Sequence, residues 1–291
     1  MTTYALRLTI TYLFDRPSGA GRQLFRVLPA HVPGVQHVRD ACLTITPAPT
    51  EQGTFTDFFG TSVTEVAMPA GLTRLELVLT AKVDRLVDRW LDLSTPLAAL
   101  RAEIRAHRGV GPASPVHFLD HLAHTPASPA IAAFAADAVQ GAHTTREAVE
   151  RVGRALHATM AFDATATEVD TLAAHAFAQR RGVCQDFALI MIAGLRSLGI
   201  PAAYVGGYLR TLPPKGRPHL IGSDAMHAWV RAWGGEEAGW IDYDPTNACH
   251  ALGDHVEIGF GPGYAAVAPV TGMLRLDGAQ TGTHTVDIVE I

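Results

Sequence analysis

The first ninety residues carry the alternation of apolar and polar positions that is typical of β-strands. The first such segment is apolar along one face, at Tyr4, Leu6, Leu8, Ile10, Tyr12 and Phe14. Further short segments follow between turns rich in proline, glycine and threonine, at 23–28, 35–47, 55–59, 63–68 and 72–84. Because no convincing helical spacing interrupts them, the pattern predicts an antiparallel β-sandwich over residues 1–90.

From about residue 91 the apolar spacing becomes helical. It predicts four helices, at 97–108, 131–139, 145–160 and 169–180. Thr145 is suited to the N-cap position of the third helix. Strands then return after a buried helix, at 202–209, 226–233, 240–244, 256–258, 272–276 and 283–291, with a loop at 211–223. The predicted fold class is therefore α+β, with a second domain over 91–291 whose C-terminal strands close its sheet.

The buried helix lies within the segment Gly182–Pro201 and has Cys184 in its first turn. From Phe187 to Leu198 it is apolar on nearly every side, which predicts a place inside the core. A thiol at a helix N-terminus lies among unpaired backbone N–H groups at the positive end of the dipole, which favours the nucleophilic thiolate. The alternative is an inert cysteine, because free cysteines are commonly buried.

Composition narrows the functional classes. A net charge of −5 offers no electrostatic basis for binding nucleic acid or an anionic membrane. No signal-peptide pattern or membrane-spanning apolar run is present. The three cysteines are far apart, and the His121/His124 pair has no third partner at ligand spacing, so we predict no disulfide, metal site or cofactor. Free thiols suit a cytoplasmic location.

A base and an acid for Cys184 come from a predicted hairpin. Strand alternation puts His227 on the face opposite the evenly apolar one, and Asp244 on the corresponding face of the second strand. If Trp233 pairs with Trp240, Asp244 becomes a diagonal neighbour of His227, and a two-residue slip puts the two directly opposite. Either register brings carboxylate and imidazole within contact distance, and both favour Asp244 over Asp242.

Cys184, His227 and Asp244 are the parts of a catalytic triad. His227 would deprotonate the thiol and protonate the leaving amine, while Asp244 would fix the imidazole tautomer. The backbone N–H of Cys184 is one candidate oxyanion donor. Gln179, one turn upstream, is a weak second candidate, since a solvated surface glutamine is the simpler interpretation. Asp186 would raise the thiol pKa and the neighbouring arginines, Arg180 and Arg181, would lower it, and the sequence leaves their balance open.

Three motifs resemble the bacterial transglutaminase-like superfamily: Arg181-Gly182-Val183-Cys184-Gln185-Asp186-Phe187-Ala188, His227-Ala228-Trp229-Val230 and Gly239-Trp240-Ile241-Asp242-Tyr243-Asp244-Pro245-Thr246-Asn247. The resemblance extends over 198–201, 206–209 and the N-terminal strands. It implies a papain-like core, with Cys184 as nucleophile, His227 as base and Asp244 as third member. Many relatives have Gly-Arg-Asp-Tyr late in the chain, where this chain has Gly261-Pro262-Gly263-Tyr264. The charged pair is missing, so the resemblance does not imply the substrate contacts that this loop supplies in the family.

The resemblance implies an enzyme that passes through a thioester. We expect a cysteine peptidase or amidase acting on a peptide or isopeptide bond, with a peptide or protein as its substrate. Amine transfer or deamidation is the alternative, and a non-catalytic peptide-binding module on the same fold is the alternative from a different class. No acidic loop with calcium-ligand spacing is present, so calcium activation is not implied.

Overall fold

The N-terminal strands form two antiparallel sheets in the computed structural model, which describes residues 1–86, 91–122, 125–211, 222 and 224–291. The six strands are β1 (Thr2–Phe14), β2 (Gly21–Phe25), β3 (Gln36–Thr46), β4 (Glu51–Thr56), β5 (Ser62–Met68) and β6 (Arg74–Arg85). Alternate apolar side chains, such as Leu6, Leu8 and Leu77, fill the space between the sheets. The predicted sandwich is confirmed, although β4 begins and ends earlier than the segment 55–59.

Helices dominate the next part of the chain. They are α1 (Leu97–Ala106), a 3₁₀ turn (Pro115–Phe118), α2 (Pro129–Ala138), α3 (Thr145–Thr159), α4 (Ala173–Gln179) and α5 (Cys184–Ser197), with short parallel strands β7 (Ala161–Phe162) and β8 (Arg181–Gly182). The N-cap of α3 is Thr144 rather than Thr145, because the Thr144 hydroxyl accepts from the Glu147 N–H at 3.1 Å. Helix α4 is shorter than the predicted 169–180.

Helix α5 lies at the centre of the second domain, as its apolar surface predicts. Every residue from Asp186 to Arg196 is buried, and α2, α3 and α4 pack around it. The last turn carries a buried charge, Arg196, whose guanidinium donates to the carbonyls of Asp120, Ala202 and Pro262. These bonds connect the end of the helix to the strand that follows it, at Ala202, and to two segments distant in sequence, at Asp120 and Pro262. They provide the buried guanidinium with hydrogen-bond acceptors inside the core.

One face of an antiparallel sheet packs against α5. The elements of this part are β9 (Ala202–Leu209), β10 (Ala225–Trp233), β11 (Trp240–Asp244), β12 (Cys249–His250), β13 (His255–Gly261) and α6 (Tyr264–Val267). The spatial order of the strands is β12-β11-β10-β9-β13. The predicted hairpin, β10 and β11, is therefore flanked by β9, which precedes it in the sequence, and by β12, which follows it.

The last two strands correct the predicted topology. We expected three late strands to close the second domain's sheet, and only β13 does so. Strands β14 (Val270–Leu274) and β15 (Gln280–Glu290) return to the sandwich, where β14 pairs with β2 and β15 pairs with β1. The division into 1–90 and 91–291 is therefore crossed by the C-terminal chain, because the two sandwich sheets still offer open edges.

Some predictions lie outside the described residues. They are residues 87–90, at the end of the predicted first domain, most of the loop at 211–223, and His124 of the histidine pair. Among the residues that are described, no helix combines the length and hydropathy needed to cross a membrane.

Candidate active site

Cys184 is the first residue of α5 and lies half-buried at the wall of a cleft. The preceding turn is held by Asp186, whose Oδ2 accepts from the Val183 N–H at 2.8 Å and from the Thr167 hydroxyl at 2.6 Å. Gly182 makes this turn possible, since a Cβ there would lie 2.5 Å from Asp186 Oδ2. The local sequence thus fixes a free thiol at the positive end of a buried helix.

The hairpin has the first of the two registers considered from the sequence. Trp233 pairs with Trp240 and Arg231 pairs with Asp242, which leaves Asp244 at the diagonal position to His227. His227 Nε2 lies 2.8 Å from Asp244 Oδ2. Asp242 instead forms a 2.6 Å ion pair with Arg231, so the spacing argument selected the correct carboxylate.

Five donors surround the carboxylate of Asp244, which has no exposed surface. Its Oδ1 accepts from the backbone N–H groups of Thr246 at 2.9 Å and Asn247 at 3.2 Å. Its Oδ2 accepts from Asn247 Nδ2 at 2.7 Å, from His227 Nε2 and, at 3.0 Å, from His255 Nε2. A buried carboxylate with this many donors is compensated by hydrogen bonds rather than by water.

The hydrogen bonds decide the protonation states of the pair. Burial alone would raise the pKa of the Asp244 carboxyl, but bonds from His227 and His255, the charge of His227 and the Asn247 bond together hold that pKa well below its usual range. Burial alone would lower the pKa of His227, but its bonds to Asp244 and Cys184 and the charges of those two groups raise it to about 10.

Cys184 and His227 line the same cleft, and the thiol is close enough to help raise the pKa of the imidazole. An ionised carboxylate only accepts hydrogen bonds, so the His227 nitrogen facing it, Nε2, carries a proton. In the neutral ring the proton acceptor is therefore Nδ1. The structure brings together the three residues that the sequence selected: Cys184, His227 and Asp244.

Sequence reasoning missed two residues of this cluster. His255 opens β13, one residue before the predicted strand 256–258, and only the folding of the chain brings it to Asp244. Trp229 lies two residues after His227 on the same face of β10, and its ring packs edge-on to His255 with centroids 5.3 Å apart. Both side chains are buried, so they separate Asp244 from solvent.

The weaker sequence candidates have other partners. The amide nitrogen of Gln179 lies 2.6 Å from His175 Nε2 on the exposed surface of α4. The guanidinium of Arg180 packs over the Phe177 ring at 3.9 Å, and Arg181 lies 3.7 Å from Asp163. The structure does not bring Gln179 into the cleft beside Cys184, whose described lining excludes it.

The cleft beside Cys184 has a volume of about 190 Å³ and a mostly apolar wall. The wall residues beyond the cluster include Tyr204, Met226, Ile258, Tyr264, Val267 and Pro269. Burial, with Cys184 and Tyr264 nearby, raises the pKa of Tyr204 well above its usual value, so its hydroxyl stays neutral. Tyr264 belongs to the segment that departs from Gly-Arg-Asp-Tyr, and its ring meets Tyr204 edge-on at 5.9 Å.

A metal ion is not needed to explain the histidines. The facing atoms of His227, Asp244 and His255 lie within 4.8 Å of one another, a spacing that a metal can also use. Each imidazole nitrogen already has Asp244 Oδ2 as its acceptor, and the carboxylate has its full set of donors. Hydrogen bonding alone therefore accounts for the cluster.

The fold mixes helices and strands, and a buried helix that begins with a cysteine lies beside a hairpin that carries a histidine and an aspartate. This is the arrangement of papain-like cysteine enzymes. The family profile of the Transglutaminase-like superfamily matches residues 132–245, and that of the Bacterial transglutaminase-like N-terminal region matches residues 4–84. The two matches together span most of the chain, which therefore belongs to the transglutaminase-like superfamily. The resemblance predicted from the three motifs is confirmed.

Curated proteins and a solved structure are similar to this chain. An uncharacterised protein of Mycobacterium tuberculosis is 30% identical over 243 residues, which are 80% of this chain and 75% of the relative. A protein-glutamine gamma-glutamyltransferase of Pseudomonas aeruginosa is 40% identical over 82 residues, 28% of this chain and 12% of the relative. A candidate cysteine protease from Cytophaga hutchinsonii shares the fold, with a TM-score of 0.76, 23% identity and coverage of 100% of this chain and 91% of its own.

Proposed function

We propose that the protein is a cysteine enzyme that cleaves a peptide or isopeptide amide through a thioester, with Cys184, His227 and Asp244 as its catalytic triad. The observation that carries the proposal is the position of Cys184 and His227 on the wall of one cleft, with the imidazole hydrogen-bonded to the buried Asp244 carboxylate. Membership of the transglutaminase-like superfamily supports an amide of a protein or peptide as the substrate class.

The first half-reaction forms the thioester. His227 takes the thiol proton on Nδ1, and the Cys184 sulfur attacks the amide carbonyl carbon. The resulting oxyanion lies near the first turn of α5, where backbone N–H groups have no partners within the helix. As the carbon–nitrogen bond breaks, the imidazolium gives its proton to the departing amine. Asp244 stabilises the imidazolium throughout and remains ionised.

The second half-reaction breaks the thioester with water. His227 accepts a proton from the water molecule as its oxygen attacks the thioester carbonyl carbon, and collapse of the intermediate releases the carboxylic acid and the Cys184 sulfur. The same step with a primary amine in place of water would make a new amide. Hydrolysis and amine transfer therefore differ only in which nucleophile reaches the thioester.

Amine transfer is the second candidate. The specific observation that favours it is the 40% identity over 82 residues with a protein that is named a protein-glutamine gamma-glutamyltransferase. The apolar wall of the cleft is compatible with both outcomes, since it accepts an uncharged acyl group and limits the water around the thioester.

Thiol alkylation tests the triad. Cys42 and Cys249 are exposed and Cys184 is half-buried, so access alone would make Cys184 the slowest of the three. Partial desolvation, with Asp244 and Asp254 nearby, raises the pKa of Cys249 to about 11. We expect iodoacetamide to label Cys184 at least about tenfold faster than Cys42 near pH 7, because the triad activates it, and His227→Ala to remove the difference. Equal rates at Cys184 and Cys42 would contradict the triad and favour a binding module.

A competition experiment separates the two enzyme types. Quenched peptides containing internal glutamine and lysine would be incubated with and without a labelled primary amine, with Cys184→Ala as the control. We expect cleavage products in both samples and little amine in the peptide. Incorporation of the amine in preference to cleavage would replace the hydrolase proposal with amine transfer.

A further inference from the structure

Among the residues that the structure describes, His255 makes the one contact to Asp244 that comes from outside the hairpin and its following turn. The other donors are His227 on β10 and the residues Thr246 and Asn247, which directly follow β11. His255 begins β13, at the opposite edge of the sheet order from β11 and β12. Its 3.0 Å bond to Oδ2 therefore connects the two sides of the sheet.

We propose that His255 is a positioning residue of the active site, which donates from Nε2 to hold the Asp244 carboxylate in the orientation that His227 requires. This inference rests on the triad proposed above. His255 does not touch the thiol in this arrangement and acts through Asp244. His255 packs beside Trp229, but the role proposed for it is to donate a hydrogen bond to Asp244.

The protonation state of the cluster supports a donor role. Because Asp244 is held ionised, each nitrogen that faces it must bear a hydrogen, which assigns the proton of a neutral His255 to Nε2. The turn donors, including Asn247 Nδ2, move with Asp244 because they belong to the same turn. His255 is anchored in a different strand, so its bond connects the carboxylate to the far side of the sheet.

Burial makes the bond strong and its loss costly. His255 is 4% exposed and Asp244 is fully buried, so water does not readily replace the donor. A hydrogen bond to a buried charge contributes more than a neutral bond, and a misplaced carboxylate leaves the imidazole with the wrong tautomer or orientation. Loss of the donor should therefore act on the reactivity of Cys184 more than on substrate binding.

A matched pair of variants separates donating from space filling. His255→Gln keeps an N–H donor near the position of Nε2, whereas His255→Met has a similar shape and no donor. We expect His255→Met to lower both the Cys184 alkylation rate and kcat about tenfold, with KM nearly unchanged. His255→Gln should stay within about threefold of the unsubstituted protein. His250, which lies 2.9 Å from Glu150 away from the cleft, supplies the control pair His250→Gln and His250→Met.

The outcomes decide the proposal in either direction. Unchanged rates in both His255 variants, or equal losses in both, would overturn it, the second case showing that the ring only fills space. If no peptide is turned over, the alkylation rates still test the positioning role separately from the proposed reaction. Titration of Cys184→Ala with ZnCl₂ completes the test: one tightly bound zinc that His255→Met removes would make the cluster a metal site and overturn the proposal.

Discussion

Asp244 shows how much of the site depends on the surroundings of a single side chain. Burial by itself would favour the neutral acid, but the donors on both carboxylate oxygens hold the pKa of Asp244 below its usual range. The ionised carboxylate then helps raise the pKa of His227 to about 10. In the proposed reaction, the imidazolium that forms when the thiol proton moves onto Nδ1 is therefore stable at neutral pH, and it supplies the acid that a leaving amine needs.

The pH dependence of the reaction follows from this coupling. A raised histidine pKa means that the protonated form is present below about pH 10 and lost above it. We expect kcat/KM to fall as the pH rises through that value. In Asp244→Asn the fall should begin at lower pH, because the carboxylate charge that helps raise the His227 pKa is gone. A pH profile with the quenched peptide measures both.

Asp242→Asn is the matched control for this experiment. Asp242 lies on the same face of β11 but binds Arg231, so its variant should keep the alkaline limb of the unsubstituted protein. Circular dichroism over the same pH range distinguishes titration from unfolding. An identical alkaline limb in Asp244→Asn would show that Asp244 does not control the His227 proton.

At the scale of elements, one strand that has a glycine beside His227 allows the histidine to be placed. Gly207 on β9 pairs with His227 on one side and with Glu257 on the other. A Cβ at Gly207 would lie 2.3 Å from the Val256 carbonyl oxygen and 2.5 Å from the Trp229 ring. The glycine is therefore needed for close packing of backbone and ring behind His227.

Substitution of Gly207 tests that requirement. We expect Gly207→Ala to lower the free energy of unfolding by about 1–3 kcal/mol, since overpacking displaces the ring or the strand. It should also slow alkylation of Cys184, because His227 lies directly opposite. Gly53→Ala is the control, because a Cβ at Gly53 meets nothing within 4 Å. Urea titration measures the first effect, and equal stability of the two variants would contradict the packing argument.

At the scale of the whole molecule, a buried glutamine joins the sandwich to the sheet that carries the site. The Gln36 amide nitrogen donates to the carbonyls of Ala30 at 2.7 Å and Glu257 at 2.8 Å. Its oxygen accepts from the Glu257 N–H at 2.8 Å and from Arg85 at 3.2 Å. Glu257 lies two residues after His255, so the sandwich supports the strand that reaches Asp244.

Gln36→Met should therefore disturb stability and site together. The variant keeps the length of the side chain but leaves several buried polar groups without this partner, and we expect a loss of at least about 2 kcal/mol in unfolding free energy. Alkylation of Cys184 should slow as well. Gln52→Met, at an exposed position of β4, should change stability by less than about 0.5 kcal/mol. Chemical denaturation of both variants checks the prediction.

Two statements about the whole molecule stay predictions. They are the cytoplasmic location, which rests on the free cysteines, and the division of the chain near residue 90. The return of β14 and β15 to the sandwich means that a fragment beginning near residue 91 would carry two strands without their partners.

The sequence alone determined the features that depend on short-range periodicity. Alternation placed the strands of the sandwich, an all-round apolar segment predicted the buried helix, and the spacing within one hairpin selected Asp244 over Asp242 as the partner of His227. Within a hairpin, the loop and the strict period of two leave few registers, so local residues were enough.

Only the tertiary structure decided the contacts between distant segments. The pairing of β14 and β15 depends on which sheet edges remain open, and periodicity shows the faces of a strand but not its partner. The approach of His255 to Asp244 depends on the arrangement of a sheet whose strands are not in chain order. Thr144 rather than Thr145 became the cap of α3 because the Thr145 hydroxyl donates instead to the Thr95 carbonyl, a partner that folding supplies.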